Sequence, residues 1–203
     1  MRVFEIFDSL QGEGVWTGVP MTFVRLAGCN GPLWGLGCCQ WCDTRDSWDP
    51  AAGADLQVEC VAERVTMPRV CLTGGEPMLQ GAEVAQLAAL LRPKGVRMHL
   101  ETNGTLPLPP GPALDWVTVS PKPPDYRVAP GWAGRVNELK VVVDQVFRAE
   151  VAEALAVAHP AAVMCLQPEA GGGAEAIATA VAVVCAHPTW RLSVQLHKVL
   201  GLP

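Results

Sequence analysis

Segments with the pattern of strands alternate with segments of helical periodicity along most of this chain. Strand patterns occur at 2–7, 21–28, 69–73, 96–101, 116–120, 136–144, 162–167 and 191–195. Helical patterns occur at 56–65, 79–91, 147–158 and 174–186. This order is typical of βαβ units, in which successive strands run parallel within one sheet. The sequence therefore predicts an α/β protein.

Two connections interrupt the regular alternation of strands and helices. Residues 105–115 and 121–135 are rich in Pro and Gly, which disfavour helices. The predicted architecture is therefore an abbreviated partial (β/α) barrel of about six parallel strands, with fewer helices than strands. No internal repeat or linker divides the chain, so residues 1–203 are expected to form a single domain.

Composition limits the class of partner that this protein binds. The 203 residues are half apolar and 17% charged, which is typical of a folded domain. The formal net charge of −5 argues against direct, sequence-independent binding to nucleic acid phosphates. The chain has no apolar run of about 18 residues and no N-terminal signal pattern, so we expect no membrane span and a cytoplasmic location.

A cysteine-rich stretch, CNGPLWGLGCCQWCDT at 29–44, contains Cys29, Cys38, Cys39 and Cys42. Thiolates clustered in this way bind either zinc or an iron–sulfur cluster. Four of them would close a structural zinc site, although adjacent cysteines seldom ligate one zinc together. Three of them, Cys29, Cys39 and Cys42, would instead leave one iron of a four-iron cluster open. This stretch alone leaves both interpretations open.

Polar residues recur at the downstream ends of the predicted strands. In βα barrels those ends share one face, where active sites are assembled. A zinc-binding module would not require such chemically varied residues at so many strand ends, so the pattern favours an enzyme. The residues concerned are Cys29, the GGEP segment at 74–77, Glu101, Asn103, Ser120, Lys122, Lys140, Gln167 and His197.

The cysteine loop and the GGEP segment together resemble the radical S-adenosylmethionine enzymes. In that family three cysteines hold a four-iron cluster, whose open iron binds the methionyl amine and carboxylate. The resemblance implies that Cys29, Cys39 and Cys42 are the cluster ligands. Nine residues separate the first two here, more than is usual in the family. Cys39 is preferred to Cys38 because it keeps a two-residue gap before Cys42.

Further motifs resemble one group within that family, the 7-carboxy-7-deazaguanine synthases. The resemblance runs from about residue 4 to the C-terminus. It implies a lyase that contracts the ring of 6-carboxy-5,6,7,8-tetrahydropterin to 7-carboxy-7-deazaguanine with loss of ammonia, feeding deazapurine pathways that include queuosine in transfer RNA. The motifs are SLQGEG (9–14), RLAGCN (25–30), CDT (42–44), TGGEP (73–77), ETNG (101–104), SPK (120–122), ELKVV (138–142) and QLHK (195–198).

The same resemblance assigns a role to each matching position. Thr44 is expected to ligate Mg²⁺, with Asp43 supporting it. The residues expected at S-adenosylmethionine are Gly75, Glu76, Glu101, Ser120, Lys122 and Gln167. Those expected at the pterin are Leu10, Gln11, Glu13, Arg25, Thr73, His197 and, through its terminal carboxylate, Pro203. Lys140 is left open between this site and a plain salt bridge.

Partners also follow from the resemblance. It implies a homodimer and a flavodoxin or ferredoxin as electron donor. One alternative function is a small radical enzyme that generates a glycyl radical in a partner protein. That enzyme would share the cluster and GGEP but has no reason for QGEG or QLHK. A non-catalytic zinc-binding module is the second alternative.

Overall fold

A computed structural model describes residues 1–31, 42–108 and 114–203. In these residues one sheet runs through the molecule. Its strands are β1 Arg2–Leu10, β2 Pro20–Leu26, β3 Ala54–Asp55, β4 Arg69–Gly74, β5 Arg97–Thr102, β6 Trp116–Val119, β7 Glu138–Val143, β8 Val163–Pro168 and β9 Arg191–Leu192. The spatial order of these nine strands is β3-β1-β2-β4-β5-β6-β7-β8-β9.

The sheet is parallel from β2 through β9. Only the β1 pairings with β2 and β3 are antiparallel within the described chain. The predicted α/β fold with a mostly parallel sheet is therefore confirmed. The antiparallel edge was not predicted, because the strand pattern at the N-terminus carries no information about direction.

Helices are fewer than strands, as predicted. The described residues contain α1 Val58–Glu63, α2 Gly81–Leu91, α3 Ala149–Ala158, α4 Gly173–Ala186 and α5 Leu196–Leu200. Within the described parts of 105–115 and 121–135 there is no α-helix. Trp132 is fully buried there and donates its indole N–H to the Leu106 carbonyl at 2.8 Å. A large aromatic side chain thus covers the sheet where a helix is missing.

The face of the sheet that packs against the helices is apolar. Alternate residues of each central strand point to this side. They form one buried cluster with Val84, Leu87 and Leu91 of α2, and burial of such side chains is the main source of fold stability. The strand residues in the cluster include Val24, Leu26, Val70, Leu72, Met98, Leu100, Val117, Val119, Leu139, Val141, Met164 and Leu166.

The opposite face carries polar and charged residues at the intervening positions. Arg25 lies opposite Thr73 in the β2–β4 register, and Glu101 lies opposite Thr118 in the β5–β6 register. Lys140 on β7 lies opposite Cys165 on β8. Because side chains alternate along each strand, these residues share one surface. We call this surface the polar face.

The end of the chain differs from the predicted strand at 191–195. Strand β9 contains only Arg191 and Leu192, and His197 lies on the short helix α5. The predicted strand at 191–195 is therefore three residues too long, and His197 follows it on a helix. After β9, Ser193 makes one more backbone hydrogen bond to Leu166, at 2.8 Å. Leu196 then donates to the Gly12 carbonyl at 2.8 Å, which draws the chain away from the sheet.

Candidate active site at the carboxyl ends of the parallel strands

A cavity of about 350 Å³ lies where the parallel strands end, on the polar face. We call it the strand-end cavity. Arg25 of β2, Thr73 of β4, Glu101 of β5, Lys140 of β7 and Gln167 of β8 all line it. The structure thus brings together polar residues from successive strands, as their positions in the sequence predict.

Most of the predicted site residues line this one cavity. Cys39 lies outside the described residues, as does its rival Cys38, and Glu76 lies behind the cavity wall. The predicted residues that line the cavity are Leu10, Gln11, Glu13, Arg25, Cys29, Cys42, Thr44, Thr73, Gly75, Glu101, Ser120, Lys122, Gln167, His197 and Pro203.

Two of the three predicted thiolate ligands lie in the wall of the strand-end cavity. Cys29 follows β2, and its backbone N–H donates to the Trp48 carbonyl at 3.1 Å. Its sulfur accepts from the Gly31 N–H at 3.4 Å. The Cys42 sulfur lies 3.4 Å from the Thr44 hydroxyl. Thiols gathered at one wall of a polar cavity are a donor set that suits an iron–sulfur cluster.

Glycines at the end of β4 allow the chain to pack against the backbone that leads into Cys29. A Cβ atom on Gly75 would lie 2.0 Å from the Gly28 carbonyl oxygen. Gly74 has a φ of +121°, which residues with a side chain rarely adopt. A Cβ atom on Gly74 would lie 2.3 Å from the Leu26 carbonyl oxygen. Only glycine permits this approach. The Gly-Gly pair therefore sets the distance between GGEP and the cysteine loop.

Glu76 is 1% exposed and its carboxylate is occupied by the protein itself. It accepts from the Asn103 N–H at 2.7 Å, the Met78 N–H at 2.9 Å and the Thr102 hydroxyl at 2.6 Å. Burial raises the pKa of this carboxyl, and these hydrogen bonds partly oppose the rise. Glu76 thus ties the end of β4 to the end of β5, and direct contact with a cofactor stays a prediction.

Glu13 presents an ionised carboxylate to the strand-end cavity. Its Oε1 accepts from the side-chain amides of Gln167 at 3.0 Å and Gln195 at 2.8 Å. Its Oε2 accepts from the Lys140 ammonium. Burial alone would raise the pKa of Glu13, but the attraction of Lys140 and these hydrogen bonds outweigh it, and the pKa falls to about 2. At neutral pH this side chain is therefore an acceptor of hydrogen bonds.

Lys140 lies beneath the cavity among three acids. It is 5% exposed, and its Nζ lies 3.6 Å from Glu101 in addition to its bond to Glu13. Burial by itself disfavours the ammonium, but the charges of Glu101, Glu13 and Glu138 reverse the effect and raise the pKa. We call Glu13, Glu101, Glu138 and Lys140 the Lys140 cluster.

Glu138 was missed from the sequence, although a signal was present. Glu138 and Lys140 are two residues apart in a buried strand, so they point to the same face. The Glu138 carboxylate accepts from the Val15 N–H at 3.1 Å and from the Trp116 indole N–H at 3.4 Å. Burial raises the pKa of Glu138, and Lys140 opposes the rise. Glu138 thus closes the underside of the cluster.

Arg25 is held in the cavity wall and is not a solvated strand residue. Its side chain is 16% exposed, and its Nε donates to Glu5 at 2.6 Å. The guanidinium also lies 5.6 Å from the centre of the Phe7 ring. Arginine has two NH₂ groups besides Nε, arranged to meet a carboxylate in two-point contact. Arg25 can therefore anchor an acidic group of a ligand.

The segment 193–203, which we call the terminal segment, closes one side of the cavity. Gln195 donates to Glu13 at 2.8 Å and to Asp43 at 2.9 Å. Lys198 pairs with Asp43 at 3.0 Å. A Cβ on Gly12 would lie 2.1 Å from the His197 ring, so glycine there lets the imidazole lie against the QGEG loop. Gln195 and Lys198 belong to the QLHK motif, but no contact was predicted for them.

Glu13, Asp43 and His197 also form a group whose potential metal-ligating atoms lie within 4.8 Å of one another. In this structure Glu13 bonds to Lys140, and Asp43 bonds to Lys198 and Gln195. Ammonium and amide groups therefore already occupy acceptor positions on both carboxylates. The group is therefore a network between the QGEG loop, the cysteine loop and the terminal segment.

A partial barrel with thiols, a Gly-Gly-Glu-Pro turn and strand-end polar residues at one mouth is the architecture of the radical S-adenosylmethionine enzymes. The chain resembles the crystal structure of QueE from Escherichia coli, with a TM-score of 0.76 and 31% sequence identity. The match covers 97% of this chain and 94% of that chain. Because the likeness spans nearly all of both chains, the whole fold belongs to this class.

Similarity in sequence identifies the group within that class. A 7-carboxy-7-deazaguanine synthase from Bordetella pertussis is 39% identical over 220 residues, covering 99% of this chain and 98% of its own. Synthases of the same name from Synechocystis and Methanospirillum hungatei are 37% and 35% identical, covering 98% and 100% of this chain. No protein-family profile matches the chain. This chain belongs to the 7-carboxy-7-deazaguanine synthase family.

Proposed function

We propose that this enzyme converts 6-carboxy-5,6,7,8-tetrahydropterin to 7-carboxy-7-deazaguanine and ammonia in deazapurine biosynthesis. One observation carries the proposal: a single cavity has the Cys29 and Cys42 thiols in its wall and also contains the Glu13 carboxylate and the Arg25 guanidinium. A cluster site and a site for an acidic, N–H-rich ligand thus share one cavity.

Cys29 and Cys42, together with Cys39, would hold the four-iron cluster. Bound there, the cluster would supply the electron that splits S-adenosylmethionine and starts the radical rearrangement. The backbone of Gly75 is proposed to contact the methionyl group. Gly75 has no side chain that would fill the space between the cavity and Cys29. The residues proposed for the rest of this cofactor are Glu101, Ser120, Lys122 and Gln167, which all line the cavity.

The pterin is proposed to lie between Glu13 and Arg25. The guanine-like edge of the pterin carries paired N–H donors, which an ionised carboxylate accepts. The pKa of about 2 keeps Glu13 ionised at neutral pH. Arg25 would meet the substrate carboxylate through its planar fork. The remaining contacts are proposed for Leu10, Gln11, Thr73, His197 and the terminal carboxylate of Pro203, which line the same cavity.

Thr44 is proposed as the protein ligand of Mg²⁺, with Asp43 beside it. One hydroxyl together with substrate atoms and waters suits magnesium, which keeps several waters and takes few protein ligands. Thr44 lines the strand-end cavity within 3.4 Å of the Cys42 sulfur, so a cation there would lie close to both cofactor and substrate.

Partners outside the cavity are also part of the proposal. The homodimer, the flavodoxin or ferredoxin donor and the cytoplasmic location stay predictions. None of the helices in the described residues is long and apolar enough to cross a membrane. Neither the glycyl-radical activase nor the zinc module is favoured by an observation on the described residues.

The test is turnover by anaerobically reconstituted protein with the pterin, S-adenosylmethionine, Mg²⁺ and dithionite. We expect 7-carboxy-7-deazaguanine and ammonia from the wild type and from Cys60→Ala, whose cysteine is exposed on α1. We expect none from Cys42→Ala. Release of 5′-deoxyadenosine without the deazaguanine would keep the enzyme class and overturn the substrate.

A further inference from the structure

The proposed function assigns no role to the positive charge of Lys140. Its ammonium is buried beneath the strand-end cavity and contacts the carboxylates of Glu13 and Glu101. Both of these acids line the cavity, whereas Glu138 lies below it. A buried ammonium is costly unless it is paired, so its position is tightly constrained by these partners.

The pKa values of two acids in the Lys140 cluster are shifted in opposite directions. Burial raises the pKa of Glu138, whereas the pKa of Glu13 is held at about 2. The ammonium makes its closest contact with Glu13. The lysine therefore makes its closest contact with the one acid that the proposed function places against the pterin.

Lys140 also fixes the direction in which Glu13 points. A carboxylate has about four acceptor positions on two oxygens. The two amides of Gln167 and Gln195 occupy Oε1, and Lys140 bonds to Oε2 from below. These three donors approach from different elements of the fold, so the plane of the carboxylate is fixed before a ligand arrives.

We propose that Lys140 is a positioning residue for the substrate: it keeps Glu13 ionised and oriented, with one acceptor position of Oε2 left for an N–H donor of the pterin edge. This inference rests on the proposed function. Without the ammonium, burial would favour a protonated Glu13. A carboxyl protonated at that position presents an O–H donor to the N–H group of the ligand and loses the acceptor contact.

The test measures kcat and KM for the pterin in the reconstituted holoenzyme. For Lys140→Met we expect KM to rise about 100-fold, since contacts to a charged group are lost. Release of 5′-deoxyadenosine in the absence of pterin should fall by a much smaller factor, because Lys140 bonds to Glu13 but lies 3.6 Å from Glu101, the residue proposed for the cofactor. Lys140→Arg, which restores a cation, should recover a large part of the loss.

A second variant separates positioning from a structural role. Lys140→Met leaves the buried Glu138 and the half-buried Glu13 and Glu101 without a counter-charge and can fail to fold. Lys140→Met combined with Glu138→Gln removes one of those acids below the cavity and leaves Glu13 and Glu101 in place. We expect this double variant to fold and still to show the raised KM. The matched control is Lys94→Met, at an exposed lysine, with wild-type KM.

The outcomes are distinct. A rise in KM for the pterin in the double variant that exceeds any fall in pterin-independent cleavage supports the proposal. Wild-type turnover with an unchanged KM in the folded lysine variants overturns the proposal alone and leaves Lys140 a structural residue. A wild-type holoenzyme that neither binds nor converts the pterin overturns the proposed function and this inference with it.

Discussion

On one face of the sheet, Leu72, Leu100 and Leu166 are fully buried and belong to one apolar cluster with residues of the helices. On the other face, Glu101, Lys140 and Gln167 come from strands of the same sheet and line a cavity. The apolar face depends on non-directional burial, whose free energy follows the area removed from water. The polar face depends on directed pairs, each of which loses most of its value when one partner is removed.

This difference separates the consequences of substitution. A change on the apolar face is expected to lower stability and to leave the chemistry of the folded fraction alone. A change on the polar face, or where GGEP meets the cysteine loop, is expected to alter function in a protein that still folds. The following predictions test this separation, from the largest expected effect to the smallest.

Gly75→Ala should abolish function most completely. The new Cβ would lie 2.0 Å from the Gly28 carbonyl oxygen, so the backbone that leads into Cys29 must move. Displacement of about 1 Å at an active site costs on the order of 100-fold in rate, and loss of the cluster costs more. We expect iron content and product formation to fall together.

Gly131→Ala is the matched control for that substitution. Its nearest neighbour, the Leu108 backbone nitrogen, would lie 3.7 Å from the added Cβ, which is ordinary contact. We expect wild-type iron content and activity in this variant. An iron-loaded, active Gly75→Ala protein would show that the close crossing of the two loops is not required.

Leu87→Ala tests the apolar face from the helix side. Leu87 on α2 is fully buried in the main cluster. Truncation should lower the free energy of unfolding by about 3 kcal/mol, through lost burial and the cavity that remains. We expect KM for the pterin to stay within about twofold of wild type. A large rise in KM at unchanged stability would contradict the separation of the two faces.

His99, on the polar face, makes the stability of the fold depend on pH. Burial lowers its pKa from 6.5 to about 4, so the folded protein holds it neutral while the unfolded chain takes up a proton. The stability linked to His99 is therefore present above pH 6.5 and is lost as the pH falls toward the folded pKa. Between pH 7 and pH 5 this loss amounts to about 2 kcal/mol.

Chemical denaturation of wild type and His99→Gln at both pH values measures that contribution. Other titrating groups are common to the two proteins and cancel in the difference. The variant should lose about 2 kcal/mol less than wild type over this interval. Equal losses would mean that His99 is protonated in the folded protein.

Arg97→Gln should have the smallest effect. Arg97 pairs with Asp115 at 2.8 Å, but its side chain is 66% exposed. Exposed ion pairs contribute between about 0 and 1 kcal/mol, and salt screens them. We expect the free energy of unfolding to change by less than about 1 kcal/mol, with no change in KM. A larger change in the free energy of unfolding, or a change in KM, would show that this exposed ion pair stabilises the fold or the site.

The sequence predicted the fold because its signals are local. Alternation of strand and helix patterns requires no knowledge of distant residues, and polar strand ends follow from the direction of parallel strands. The two antiparallel pairings of β1 were missed because strand direction is not encoded in a short apolar run. The last strand was predicted over 191–195 because the pattern there does not reveal that the strand ends at Leu192.

The candidate site was predictable as a set of residues but not as a set of contacts. Lys140 bonds to Glu13 across 127 residues, and Gln195 reaches Glu13 across 182. Such partners are chosen by tertiary packing, so the role of Lys140 stayed open from the sequence. Glu76 was expected at the cofactor, yet its carboxylate accepts three hydrogen bonds from its own chain. Motif position alone cannot reveal which way a buried acid points.

The most direct measurement is a crystal structure of the anaerobic holoenzyme with S-adenosylmethionine and 6-carboxy-5,6,7,8-tetrahydropterin. The account predicts the pterin in the strand-end cavity, with its paired N–H edge on Glu13 and its carboxylate on Arg25. Lys140 should still bond to Glu13 from below. A pterin bound outside this cavity, or bound with its carboxylate toward Glu13, would contradict the account.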